Sequence, residues 1–449
     1  MMLHPEGDRM SKPIKIKETQ DRLITPGGLL LVGSLLARTA LSKLLNRLGK
    51  LKDFTHQNAS CVLSYVALLC QGKTAYEDIR ELEEDADFSC DALRIDTIPS
   101  EETMRQRLDY LAKEIAGSDM VMEASAEMLK SVGLEPTPAF TGHVPVDIDV
   151  SPHDNSNTKK EGVGWTYKGF DGYAPIYAYI GEEGYVCNAE LREGTCHSQC
   201  AGTVSFLADT LRLAGQITDQ RLLVRMDSGN DALDNIKLFI KEGADFIIKR
   251  NCRGESLDDW FETAEKNGVR SDPRDGKTVY TGSVYRDKKG VDRPLRIVFE
   301  VIERTSKADG QLLLLPELEV NTWWTSLADS DADVIRSYHD HATCEQFHSE
   351  IKTDIGLERF PSGKFDTNAA VLKLAALAFN ILRVIGQSAL RTGAKFTRRD
   401  VKRLRAKTVI NRFMFIAGRV ITHARDTILT LGRSNVWRHA FMKLYAAFG

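Results

Sequence analysis

Long apolar runs are missing from this chain. The nearest, GGLLLVGSLLARTALSKLL from Gly27, takes in an arginine and a lysine and falls short of the ~18 clean residues of a transmembrane helix. No membrane span and no membrane partner are expected. A signal-peptide pattern is missing too: MMLHPEGDRMSKPIKIKETQ mixes charges and lacks a cleavage site, so a cytoplasmic chain is expected. Cysteine is sparse, with eight residues at 61, 70, 90, 187, 196, 200, 252 and 344. That scatter excludes a disulfide framework and fits reduced thiols. Cys196, His197 and Cys200 lie close together, but no partner pair follows at zinc-finger spacing, so a structural zinc is not expected. Internal repeats and low-complexity tracts are absent as well.

What is present describes a soluble globular protein, with 42% hydrophobic and 27% charged residues. A length of 449 residues is too great for one ordinary core and implies two to four modules. The net charge of −3 is unevenly divided. From Arg391 to Gly449 there are fourteen lysines and arginines against two acids, a local +12, which leaves −15 for the rest. Such asymmetry points to a polyanion partner at the C-terminal end. Arg398, Arg399, Lys402 and Arg403 are the densest part of that stretch and its candidate phosphate contacts.

Between about 27 and 132 the patterns are helical. In SEETMRQRLDYLAKEI, Ser100 can cap, Glu101 and Glu102 occupy the first turn, and Met104, Leu108, Leu111 and Ile115 form a stripe. These helices suit a DNA-end-binding module or a scaffold equally. GLEPTPAFTGHVP (133–145) reads as a linker. From 144 the period changes to two: Val144, Val146, Ile148 and Val150 alternate with Pro145, Asp147 and Asp149, predicting a strand. PIYAYIG (175–181) and YVCNAELR (185–192) predict a hairpin beside it, followed by a helix in AGTVSFLADTLRLAG. RLLVRM (221–226) and ADFIIKR (244–250) bracket another helix and are apolar enough for the centre of a sheet. Residues 252 to about 330 contain further β-type runs, expected as a small sheet inserted into the core. A strongly apolar helix, 368–386, and the basic tail follow.

This order of elements is that of a ribonuclease-H-like fold. The expected class is α/β: a ribonuclease-H-like catalytic core with a β-rich insertion, flanked by a helical N-terminal region and a helical basic C-terminal region. The expected boundaries are 1–140 for the N-terminal region, 141–251 and 331–390 for the two parts of the core, 252–330 for the insertion, and 391–449 for the tail.

The chemistry concentrates in YHDHATCEQFHSEIK, where Tyr338, His341, Glu345 and Lys352 follow at offsets of three, four and seven. On one α-helix those offsets share a face. Two more acids stand at or near the ends of predicted strands: Asp149 in VPVDIDVS and Asp227 in RLLVRMDSGN. Two strand-borne aspartates and a helix-borne glutamate make a ligand set for two hard cations, as phosphoryl transfer on a diester requires. Asp147 is the rival on the first strand; Asp149 is preferred because it comes later, two residues before Ser151. Taken singly, any acid among 63 is more often surface solvation or a turn former. Trp323 and Trp324 in NTWWTSL face opposite ways on a strand, so that either both are core or one is free to stack on a displaced base.

These motifs resemble the DDE transposases of bacterial insertion sequences, the DDE group 1 family, of the insertion sequence 1380 type within the wider cut-and-paste class. In that family the first aspartate closes a strand like VDIDVS and the second stands in an RxDSG-type run. The glutamate lies in a tyrosine, arginine, glutamate, lysine signature with the spacing found here, His341 replacing the arginine. An imidazole carries no fixed positive charge above pH ~6.5. GLERFPSGKFDTNAAVLKLAALAFNIL and IPSEETMRQRLD also resemble family runs. The resemblance implies catalytic and metal-binding roles for Asp149, Asp227 and Glu345, with Mg²⁺ (Mn²⁺ as a substitute). It implies phosphate contacts by Tyr338 and Lys352, with His341 at the arginine position between them. It also implies double-stranded DNA partners (terminal inverted repeats and target DNA) and a homodimer or higher synaptic complex. A nuclease of the same fold that hydrolyses without strand transfer, and an inactive DNA-binding relict, are the competing readings.

Overall fold

The computed structural model describes residues 14–48, 57–395, 400–423 and 426–449. Nine strands form one mixed sheet, and its order explains why distant acids meet. The strands are β1 (Val144–Val150), β2 (Ile176–Ile180), β3 (Tyr185–Glu190), β4 (Leu222–Met226), β5 (Asp245–Lys249), β6 (Val269–Arg274), β7 (Lys277–Arg286), β8 (Leu295–Ser306) and β9 (Leu312–Thr325). Across the sheet they run β6-β7-β8-β9-β5-β4-β1-β2-β3. The pairs β1–β4 and β4–β5 are parallel and central, and their apolar residues are buried as the sequence pattern predicts. β2 and β3 form the predicted antiparallel hairpin. Helices α1 (Thr203–Ile217) and α2 (Leu233–Glu242) connect β3 to β4 and β4 to β5.

The region after β5 departs from expectation. Its strands do not fold into a separate small sheet. β9 pairs antiparallel with β5, so β6 to β9 extend the central sheet outward. Trp323 and Trp324 lie at that junction, opposite Lys249 and Ile248, and both are buried. The idea of a ring free to stack on a base is therefore not met by either. Trp323 packs on Tyr338 with 5.5 Å between centroids; Trp324 donates to Asp231 (2.9 Å) under the guanidinium of Arg250.

The apolar helix predicted at 368–386 spans Phe365–Arg391 and runs through the middle of the core. It is long and apolar enough to cross a membrane, but 94% of its most apolar window is buried inside the protein. Its Asn380 bonds both the N–H and the carbonyl of Val186 on edge strand β3, and its side-chain amide reaches Ser125 in the N-terminal helices. That region is helical as expected. Ser100 caps Glu101–Gly117 by accepting from the N–H of Thr103, and the predicted stripe is buried.

The basic tail differs from the expected helical region. It contains a hairpin, Gly418–His423 with Asp426–Leu431, and its first strand pairs with Arg22–Ile24 near the other end of the chain. A helix, Arg438–Phe448, follows. Arg398 and Arg399 lie outside the described residues. Cys196 is joined to Cys200, a correction to fully reduced thiols; a turn brings their Cα atoms to 5.9 Å, within disulfide reach. The other six cysteines are free.

Candidate active site

β1 and β4 run parallel, with Asp147 opposite Arg225 and Ile148 opposite Met226. β4 then ends. Continuing the same register by one residue sets Asp227 alongside Asp149, at the carboxyl ends of adjacent parallel strands. Ligands of open α/β sheets gather in the crevice there. Asp149 accepts from the N–H of Val150 (2.8 Å), and Asp227 accepts from the Asn230 amide (2.7 Å). The Asp227 carboxyl is pushed above its ordinary value, first by burial and then by the charge of Asp149. Burial also pushes Asp149 up, but the hydrogen bond and charge of His348, then the charge of His341 and the Val150 N–H, together leave that carboxyl low.

The expected single helix face is absent from 338–352. Helix α3 (Asp331–Asp340) tightens into a 3₁₀ turn, His341–Thr343, resumes as α4 (Cys344–Ser349), and widens into a π turn, Glu350–Asp354. One cause is visible. Arg225 donates to the carbonyl of Ser337 (2.7 Å), an acceptor that a continuing α-helix would offer to its own backbone. The four residues consequently point to different places. Tyr338 packs on Trp323, and its phenol is pushed up by burial and then by Asp227 and Asp149. His341 turns inward to Asp147, with Nδ1 3.0 Å from the carboxylate, and so is not available as a DNA contact. Glu345 is exposed. Lys352 donates to the carbonyl of Pro152 (2.6 Å), and burial lowers its pKa.

Asp147 is spent internally. Arg225 holds both of its oxygens at 2.6 and 2.7 Å, and all three groups are buried. Burial pushes Asp147 up, yet Arg225 and then His341 bring it below the usual carboxylate range. Glu350, five residues after Glu345, is spent likewise, on Arg383 (3.1 Å), Arg403 and the N–H of Ala406 (2.8 Å). Arg403 is thus tied to the protein as well as lining a surface. With Lys402, Arg405 and Glu345 it borders a groove of about 610 Å³. Lys402 is exposed and pairs with Glu182 at 2.8 Å.

Among the described residues, one group of side chains brings metal-capable donor atoms within 4.8 Å of one another: Asp149, Cys344 and His348. Asp227 and Glu345 are not in that group, but their charges reach it. Tyr167, whose hydroxyl donates to the carbonyl of Val150 (2.9 Å), is pushed up by burial and then by Asp149, Asp227 and Glu345 together. Sequence reasoning missed Tyr167, Cys344 and His348. Tyr167 left no signal. Cys344 and His348 did: an i,i+4 pair on a helix is a metal-binding spacing.

A solved piggyBac transposase synaptic complex with hairpin DNA matches this chain with a TM-score of 0.42 at 10% identity, over 94% of this chain and 81% of that one. A likeness so distant carries no argument. No curated protein sequence matches. The profile of the family described as transposase DDE domain group 1 matches residues 7–448, nearly the whole length, and the chain therefore belongs to that family.

Proposed function

We propose that this DDE-family transposase cuts DNA at the inverted-repeat ends of an insertion sequence of the 1380 type and joins those ends to target DNA. The reaction depends on divalent cations, on a ribonuclease-H-like core, and on Asp149, Asp227 and Glu345. The observation that carries this reading is the register of β1 and β4, which brings Asp149 and Asp227 together just past the last pair, Ile148 and Met226, with Asp227 raised first by burial and then by the charge of Asp149. Two carboxylates that repel each other in a half-buried crevice suit a hard cation, which prefers carboxylate oxygen and relieves the repulsion. Glu345, exposed on α4, raises Tyr167 together with both aspartates, which supports taking it as the third oxygen donor. When bound, Mg²⁺ (or Mn²⁺) neutralises charge on the scissile phosphate and lowers the pKa of the attacking hydroxyl.

The protein's own groups position the rest. Lys352, anchored beside Pro152, and Lys402, exposed at the groove by Glu345, supply positive charge for phosphates. Trp165, on the short strand Gly164–Trp165, and Tyr167, two residues on with its hydroxyl tucked against Val150, expose much of their side chains and replace the buried Trp323 and Trp324 as surfaces for an unpaired base. A second copy holds the other DNA end. The protein acts on DNA in the bacterial cytoplasm and is associated with the nucleoid when bound.

The test incubates the purified chain with Mg²⁺ and DNA carrying the element's own ends, and maps the products. Cleavage at the ends with joined product is expected. Cleavage without joining would support a hydrolytic nuclease instead, and binding without cleavage an inactive relict.

A further inference from the structure

We infer that Asp149, Cys344 and His348 form a site for one zinc-class transition ion, distinct in donor chemistry from the hard-cation pair. His348 Nε2 lies 3.3 Å and Cys344 Sγ 4.0 Å from the same oxygen of Asp149, Oδ2. Tetrahedral zinc bonds of ordinary length separate adjacent nitrogen and oxygen ligands by about 3.3 Å, and sulfur and oxygen by about 3.5 Å. The nitrogen–oxygen spacing is that of a filled site, the sulfur–oxygen spacing is about 0.5 Å wider, and all three donor atoms lie within 4.8 Å of one another.

The surroundings fit as well. His348 Nδ1 shares a hydrogen bond of 2.9 Å with the hydroxyl of Tyr179, which fixes the ring and leaves Nε2 to face Asp149. Tyr177 and Tyr179 wall the imidazole, with centroids at 5.3 and 5.2 Å. The helix bearing Cys344 and His348 is pinned just beyond its end by Glu350, through Arg383 and Arg403. Cys344 and His348 are buried, whereas Asp149 keeps 17% of its side chain open to solvent, which provides an entry path. An oxygen, nitrogen and sulfur set favours zinc or cobalt over magnesium, and three protein ligands leave a fourth position open. Coordination breaks the S–H bond of Cys344, forms the metal–sulfur bond, and releases the proton to solvent.

The catalytic consequence rests on the function proposed above. Asp149 belongs to both donor sets, so an ion on Cys344 and His348 withdraws it from Asp227 and inhibits Mg²⁺-supported cleavage.

The experiment titrates Co²⁺ into the full chain carrying Cys196→Ser and Cys200→Ser, which removes the other cysteine pair near a histidine. A thiolate-to-cobalt charge-transfer band with one ion per chain is expected. Adding Cys344→Ser should abolish the band, and His348→Gln should weaken binding by at least about tenfold. No band, or a band that survives Cys344→Ser, overturns the inference. Should the Cys344 variant fail to fold, zinc-edge X-ray absorption on the parent decides. One sulfur at about 2.3 Å supports the site, and a shell of only oxygen and nitrogen overturns it. In the cleavage assay, zinc should suppress the parent at least tenfold, with a ratio near one for Cys344→Ser. Absence of Mg²⁺-dependent cleavage would sink the transposase reading alone, since the cobalt result does not depend on it.

Discussion

Asp147 and Asp149 lie two residues apart on β1 and face the same side of the sheet, yet they have opposite surroundings. Opposite Asp147 the neighbouring strand continues and supplies Arg225; opposite Asp149 it has ended, and the next acid, Asp227, takes the equivalent place. On the glutamate segment the same contrast recurs: Glu350 is closed in by Arg383 and Arg403, whereas Glu345 faces solvent and a groove. Each element thus carries one acid that holds the fold and one that is free for chemistry. A carboxylate with both oxygens held by buried guanidinium has its charge already compensated inside the protein and is poorly placed to take a cation, while its neighbour a few residues on has no such partner.

The sharpest way to break this comparison is to neutralise the free acids. Asp149→Asn, Asp227→Asn or Glu345→Gln should each abolish cleavage and joining and leave binding to the element's ends largely intact; the last two should change unfolding free energy by less than about 1 kcal/mol, and Asp149→Asn, which loses the charge facing His348, should cost less than Asp147→Asn. Gel-shift and cleavage assays on the same preparations check it. Full cleavage by any one variant removes that residue from the site.

The closed acids should respond in stability. Asp147→Asn or Glu350→Gln leaves buried guanidinium unpaired, and removing one partner of a buried pair costs about 3–5 kcal/mol. Urea unfolding measures this directly. The pH dependence carries the same sign. Asp147 has a folded pKa below its unfolded value, so its contribution is complete above pH ~4 and is lost as pH falls through the folded value. Asp147→Asn should therefore flatten the acid limb of the stability profile.

Asp227 has the reverse sign. Its raised pKa means that ionisation costs stability, a cost that appears as pH rises above ~4 and persists at neutral pH without cations. Asp227→Asn should raise the melting temperature slightly in chelator. Added Mg²⁺ should stabilise the parent but not the variant, as differential scanning calorimetry can show.

The smallest expected effect is at the rim. Lys402→Ala should weaken DNA binding across sequences and lower the slope of log K against log salt by about one unit. Deleting the entire tail would not isolate this effect, because residues 418–420 pair with Arg22–Ile24 and Arg403 holds Glu350.

Much of the sheet was legible in the sequence because alternation in VPVDIDVS and continuous apolar runs in RLLVRM and ADFIIKR report burial on one face or two. The partner of each strand was not, since period-two patterns say nothing of register; the adjacency of Asp149 and Asp227 emerges only from the pairing of β1 with β4. Tyr338, His341, Glu345 and Lys352 were found as a motif but misread as one face, because the carbonyl that Arg225 takes from Ser337 belongs to a contact 112 residues apart in sequence. Trp323 and Trp324 were readable as strand residues. Their burial follows from the pairing of β9 with β5, which no local pattern announces.

The most direct test of the division between closed and free acids measures Asp147→Asn and Asp149→Asn side by side, for unfolding free energy and for end cleavage under conditions where both stay folded. The account predicts a large stability loss with residual cleavage for Asp147→Asn, and a much smaller stability loss with no cleavage for Asp149→Asn. Full cleavage by Asp149→Asn, or its absence in a stably folded Asp147→Asn, would contradict it.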